Sequence, residues 1–193
     1  MSGGNILKFA KNYLNFSYKT VTGRIFLVGL LIFIIFLAVV LPWESQRSSE
    51  RLGFDRTPDT SFIYNQADLY EMAEAYGEEG RSYYIRSRFT FDIIWPLVYF
   101  YFLWSGITLV LRRFASRLIR GLLLFPLLGT VFDFLENSGA SLVMYRYPAE
   151  TILIDQLTPV FTFLKWIFIY ISFIILLVGA GVKVYDKFKK RAI

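Results

Sequence analysis

Neither cysteine nor histidine occurs among the 193 residues. Disulfides, thiol nucleophiles, the usual zinc sites and the common axial haem ligands are excluded together, so any acid/base work falls to carboxylates, Lys or Tyr. The G-x-S-x-G, H-E-x-x-H, P-loop and dinucleotide fingerprints are absent as well, and no catalytic residue can be assigned. No cofactor or metal is implied by a recognised ligand set.

What the chain has in abundance is apolar surface. Hydrophobic residues make up 55% of it and aromatics 19%, and the mean hydropathy is +0.47. These values describe an all-α integral membrane protein rather than a soluble domain. Continuous apolar runs lie at about residues 25 to 42, 89 to 111, 121 to 145 and 159 to 182, each close to the ~20 residues a bilayer core requires. None alternates apolar with polar residues, which argues against barrel strands. The reading is an antiparallel bundle of four transmembrane helices.

The net charge of +6 is a topology signal, not a nucleic-acid footprint. Lys8, Lys11, Lys19 and Arg24 precede the first run, Arg112, Arg113, Arg117 and Arg120 separate the second from the third, and Lys183, Lys187, Lys189, Lys190 and Arg191 follow the fourth. By the positive-inside rule both termini and the short middle loop are cytoplasmic, in a plasma or bacterial inner membrane. Residues 1–24 then form a cytoplasmic interfacial segment, residues 25–193 one membrane domain, and residues 183–193 its basic tail. In NILKFAKNYLNF, Ile6, Phe9, Ala10, Tyr13 and Leu14 share a helical face, as in a helix lying at the interface. The basic leader is long and LAVVLPWES offers no small-x-small cleavage site, so the first run reads as a retained anchor.

Residues 43–88, on the outer side, are too long for a tight connection. ESQRSSERLGFDRTPDT reads as turn-rich. NQADLYEMAEAYG spaces Leu69, Met72, Ala73 and Tyr76 at i, i+3, i+4 and i+7, predicting a helix over 65–77 that roofs the bundle and ends at Gly77. From Arg81 a single helix is predicted to run into the second span, with Arg81, Tyr84, Arg88, Asp92 and Trp95 along one side and Pro96 kinking it.

The third run contains FDFLEN. Asp133, Glu136 and Asn137 stand at i, i+3 and i+4 and therefore share one face. A lone charge at bilayer centre costs about 2.5 to 3.5 kcal/mol on insertion scales, so these acids need partners. Asp92 and Lys165 are expected at similar depth in the outer half, with Arg88 and Arg81 as further counter-ions. Tyr84, Trp95 and Tyr99 complete the proposed lining. Polar side chains between membrane helices also serve as interhelical hydrogen-bond glue, but glue needs no charge.

The inner half of the bundle carries no charged path, which disfavours a channel or proton-coupled carrier. An outer pocket binding an amphiphilic, lipid-like or a cationic ligand fits best, its head group meeting Arg88 and Lys165 and its tail lying along Phe91, Phe132 or Phe161. An accessory subunit docking a membrane partner through residues 43–88 is the alternative. A carboxylate acid/base enzyme is another; alternatively Asp92, Asp133, Glu136 and Asn137 would supply only oxygen ligands, suited to Mg²⁺ or Ca²⁺. Four spans, an enlarged first outer segment and acids within the bundle resemble, in topology alone, the EXPERA family of sterol isomerases and sigma-2-type receptors. This chain lacks the histidine of the isomerase branch, and no residue role carries over.

Overall fold

A computed structural model describes residues 3–54, 56–114 and 116–190. Arg191 of the basic tail lies outside them. The described residues form helices α1 (Gly3–Thr20), α2 (Gly23–Ile35), α3 (Leu41–Leu52), α4 (Gln66–Ala75), α5 (Gly77–Arg88), α6 (Phe91–Leu111), α7 (Arg117–Gly121), α8 (Leu124–Arg146) and α9 (Ile154–Lys189), with no strand among them. Four helical stretches are long and apolar enough to cross a membrane: Gly23–Leu52, Gly77–Leu111, Leu118–Arg146 and Ile154–Lys189. Each expected apolar run falls inside one of them.

The second stretch is the central one. In its most apolar window 61% is buried, against 6% for the first stretch. Around α6, Phe102, Leu103, Ile107 and Leu111 form the main core with Leu123, Ile169 and Leu176. Phe33 of α2 stacks on Phe102 with ring centroids 4.5 Å apart. Small residues let the helices approach, the usual device where lipid supplies no hydrophobic drive. A Cβ at Gly29 would stand 2.9 Å from Tyr101, and one at Gly179 would stand 2.6 Å from Val110.

α1 docks under one end of α6 by polar contacts. Ser17 donates to the Tyr13 carbonyl at 2.8 Å and accepts from Trp104 Nε1 at 2.8 Å. Arg112 donates to the Tyr18 and Val21 carbonyls at 3.0 and 2.6 Å. Tyr13, Leu14 and Tyr18 pack on the core, whereas Ile6, Leu7, Phe9 and Phe16 stay exposed.

At the other end α4 and α5 form a cap. Asn65 accepts from the Ala67 and Asp68 amides at 2.7 and 3.2 Å while Asp68 accepts from the Asn65 amide at 2.8 Å, a reciprocal capping box that starts α4. Leu69, Met72 and Ala73 are fully buried, packed with Ala140, Val143 and Met144 of α8. Gly77, at φ +62°, makes the turn between α4 and α5.

Two boundaries differ from the sequence reading. The first helix does not end at Pro42. A π-helical turn, Phe36–Val40, joins α2 to α3, and the Leu41 amide bonds back to the Phe36 carbonyl. The wider turn accommodates the proline ring that would crowd an ordinary one, so ESQRSSERL is helical and the turn-rich part begins at Gly53. Conversely, α5 and α6 are interrupted at Phe89–Thr90. Thr90 Oγ1 donates to the Arg86 and Ser87 carbonyls at 2.8 and 3.4 Å, capturing acceptors that a continuing helix would use.

Candidate functional site

α9 packs closely against the FDFLEN face of α8. A Cβ at Gly129 would meet Ile169 at 3.1 Å, and one at Gly139 would collide with Thr158 Oγ1. Between these two contacts Asp133, Glu136 and Asn137 face Lys165, all four more than nine-tenths buried. Lys165 Nζ forms a direct ion pair with Glu136 and lies 4.0 Å from Asp133 Oδ1.

The second layer comes from α6. Tyr99 donates its hydroxyl to Asp133 Oδ2 at 2.9 Å, and Asn137 Nδ2 donates to Asp133 Oδ1 at 3.1 Å. Pro96 has no amide hydrogen, which leaves the Asp92 carbonyl one turn earlier without its helical donor. Asn137 Nδ2 supplies it at 3.4 Å. The proline and the asparagine are thus one arrangement, which ties α8 to the start of α6.

Arg88 closes the group. Its Nε lies 3.0 Å from Asp92 Oδ2 and its Nη1 3.1 Å from Asp59 Oδ1, at ion-pair distance but outside hydrogen-bonding angles. Its guanidinium sits 4.4 Å over the Tyr84 ring. Asp59 was not foreseen. It lies in a 3₁₀ turn, Pro58–Thr60, within a segment whose mixed charges give no periodic signal. Burial pushes the Asp59 carboxyl up, but Arg88 and then Lys165 more than reverse this and hold it below the ordinary carboxylate range. Beside it, the Tyr64 phenol is pushed up by burial and by the Glu136 charge, and its hydroxyl lies 3.0 Å from Thr162 Oγ1.

These groups line one side of a cavity of about 590 Å³. Asp59, Arg88, Asp92, Asp133 and Lys165 stand at its polar floor. Phe33, Leu37, Leu41, Phe91, Trp95, Ile169 and Phe173 form an apolar wall, and Glu44, Ser45 and Ser48 of α3 form the side towards the cap. Trp95 is held by stacking on Phe33 and Phe36, with centroids 5.8 and 6.1 Å away.

Several expected roles move. Arg81 is not a counter-ion of the acids. It donates to the Ala73 carbonyl at 2.8 Å and stacks on Tyr147 at 4.7 Å, satisfying a free acceptor at the end of α4. Tyr84 supports Arg88 from below. The roof over the cavity is α3, whereas α4 covers α8 instead. Phe132 and Phe161 pack against one another in a tilted pair with ring centroids 6.2 Å apart and stand outside the lining, while Phe91 belongs to it. Among the described residues no group of three carboxylates converges to hold a metal ion.

No protein-family model, curated protein or solved structure matches the chain. The functional argument therefore rests on the cavity and its chemistry.

Proposed function

We propose that the protein is a multi-pass membrane protein that binds a lipid-like amphiphile in the cavity between α3, α6 and α9. The α1 end and the basic tail face the cytoplasm, and the cap of α4 and α5 faces outwards, the orientation that the distribution of Lys and Arg favours. The charged group then lies in the outer half of the bilayer. Its members compensate one another, since none would be stable there alone.

The observation that carries this reading is a cavity of about 590 Å³ that combines a charged floor with an apolar wall. The volume is in the range of small-molecule sites, which pair mostly apolar surface with a few converging polar groups. A head group meets the floor near Asp92, and the tail runs along Trp95, Leu37 and Phe173. Docking of a partner protein through residues 43–88 is the second reading: the α4 stripe, Leu69, Met72 and Ala73, is buried within this chain, whereas Trp43, Phe62 and Ile63 are exposed.

The test is retention. Protein purified in a neutral detergent is extracted with organic solvent, and its copurifying lipids are quantified by mass spectrometry against variants that fill the cavity, Leu41→Trp and Ser45→Phe. At least one amphiphile is expected at near-stoichiometric level in the native protein and depleted in both variants. Equal lipid profiles in all three would refute the proposal.

A further inference from the structure

We infer that the amphiphile carries a cationic head group, an amine or quaternary ammonium, and this inference rests on the cavity's being an amphiphile site. The charge arrangement at the floor decides the sign. Arg88 is flanked by two carboxylates, Asp59 and Asp92, and Lys165 by two more, Asp133 and Glu136. Each fixed cation is already shared by two acids. An anionic head group would enlarge the acidic excess without meeting an uncommitted cation. A cationic head group would reduce that excess.

Asp92 offers the position. It is 8% exposed and belongs to the cavity lining. Its Oδ2 stands 3.0 Å from Arg88 Nε, yet it is buried without a hydrogen bond among the described residues. An acceptor so far removed from water is costly to leave unmatched, and a donor or cation arriving through the cavity would match it. The walls favour the same sign. Trp95, Phe91 and Trp166 line the cavity, and aromatic faces attract ammonium groups but not anions. Lys165 Nζ, 5.3 Å from the Trp166 ring centroid, already makes such a contact within the protein.

The experiment uses three quenchers with the same chain in nanodiscs of an uncharged glycolipid, digalactosyldiacylglycerol: 11-bromoundecyl-trimethylammonium, 11-bromoundecanoate and 11-bromoundecanol. Tryptophan quenching is read for the native protein after subtraction of the Ser45→Phe signal, which removes simple partitioning into lipid. The ammonium compound is expected to half-saturate at least about tenfold below the carboxylate, a conservative figure for one unit charge near a partly buried carboxylate, with the alcohol between them. Asp92→Asn should narrow that gap. Asp59→Asn serves as a second variant if Asp92→Asn does not fold. Equal affinities for the charged pair, or a preference for the carboxylate, would overturn the cationic assignment while the amphiphile reading stood. Failure of all three to quench above the Ser45→Phe control would overturn both.

Discussion

Lys165→Met removes the counter-charge of Glu136 and leaves its carboxylate fully buried. Breaking such a pair costs about 3 to 5 kcal/mol. The loss has a ceiling, because the orphaned carboxyl can instead take up a proton. At pH 7, protonating a group with a solvent value near 4.3 costs about 3.7 kcal/mol, and at pH 5 about 1 kcal/mol. The sign follows from linkage. The folded variant holds a proton that the unfolded chain releases above about pH 4.3, so its deficit grows as pH rises and shrinks on acidification. For a chain of this size ~3.7 kcal/mol corresponds to a Tm lowered by roughly 7 to 15 °C. Thermal unfolding in detergent at both pH values, with the native protein as reference, reads this directly. The double variant Lys165→Met/Glu136→Met, which replaces the pair by apolar groups, should recover most of the stability at pH 7. If Lys165→Met is as stable as the native protein at pH 7, or if its deficit does not change with pH, then Lys165 does not compensate Glu136.

Gly179→Ala should cost about 1 to 3 kcal/mol, since the added Cβ would stand 2.6 and 2.7 Å from Cγ2 and Cβ of Val110. Val110 cannot rotate its own Cβ away, so α6 and α9 must separate, and thermal unfolding measures the loss. The Asp59–Arg88 contact predicts a transition in acid. With the Asp59 carboxyl held below its ordinary value, the contact contributes stability above about pH 4 and loses it as pH falls through the lower folded value. Trp166 Nε1 donates to the Asp59 carbonyl at 3.3 Å, so tryptophan fluorescence should change only below about pH 4, and not in Asp59→Asn. A transition between pH 5 and 6 would contradict this account.

The features legible in the sequence were those with a period. Leu69, Met72, Ala73 and Tyr76 repeat at helical spacing, and the structure buries all four. Asp133, Glu136 and Asn137 stood out because they share a face on an apolar background. Their shared face needed a partner, and Lys165 is the one cation inside the fourth apolar run. Asp59 has neither property. It sits in a short turn, among other charges, and reaches Arg88 only through the tertiary fold. Arg81 misled for the opposite reason. Its spacing from Tyr84 and Arg88 is helical, but spacing gave no indication that the Ala73 carbonyl and Tyr147 would claim its guanidinium first. The extent of the first helix was hidden by Pro42, which ends an ordinary helix but is tolerated after a wider turn.

That wider turn governs more than the length of the helix. One residue more than a regular turn rotates everything beyond it by about 100°, and this rotation orients Glu44, Ser45 and Ser48 towards the cavity. Deleting one residue from Phe36–Val40 would keep the helix apolar and long enough to span, yet swing the hydroxyl-bearing side of α3 out towards the surroundings. The same composition, wound one notch tighter, would keep its anchor and lose its binding site.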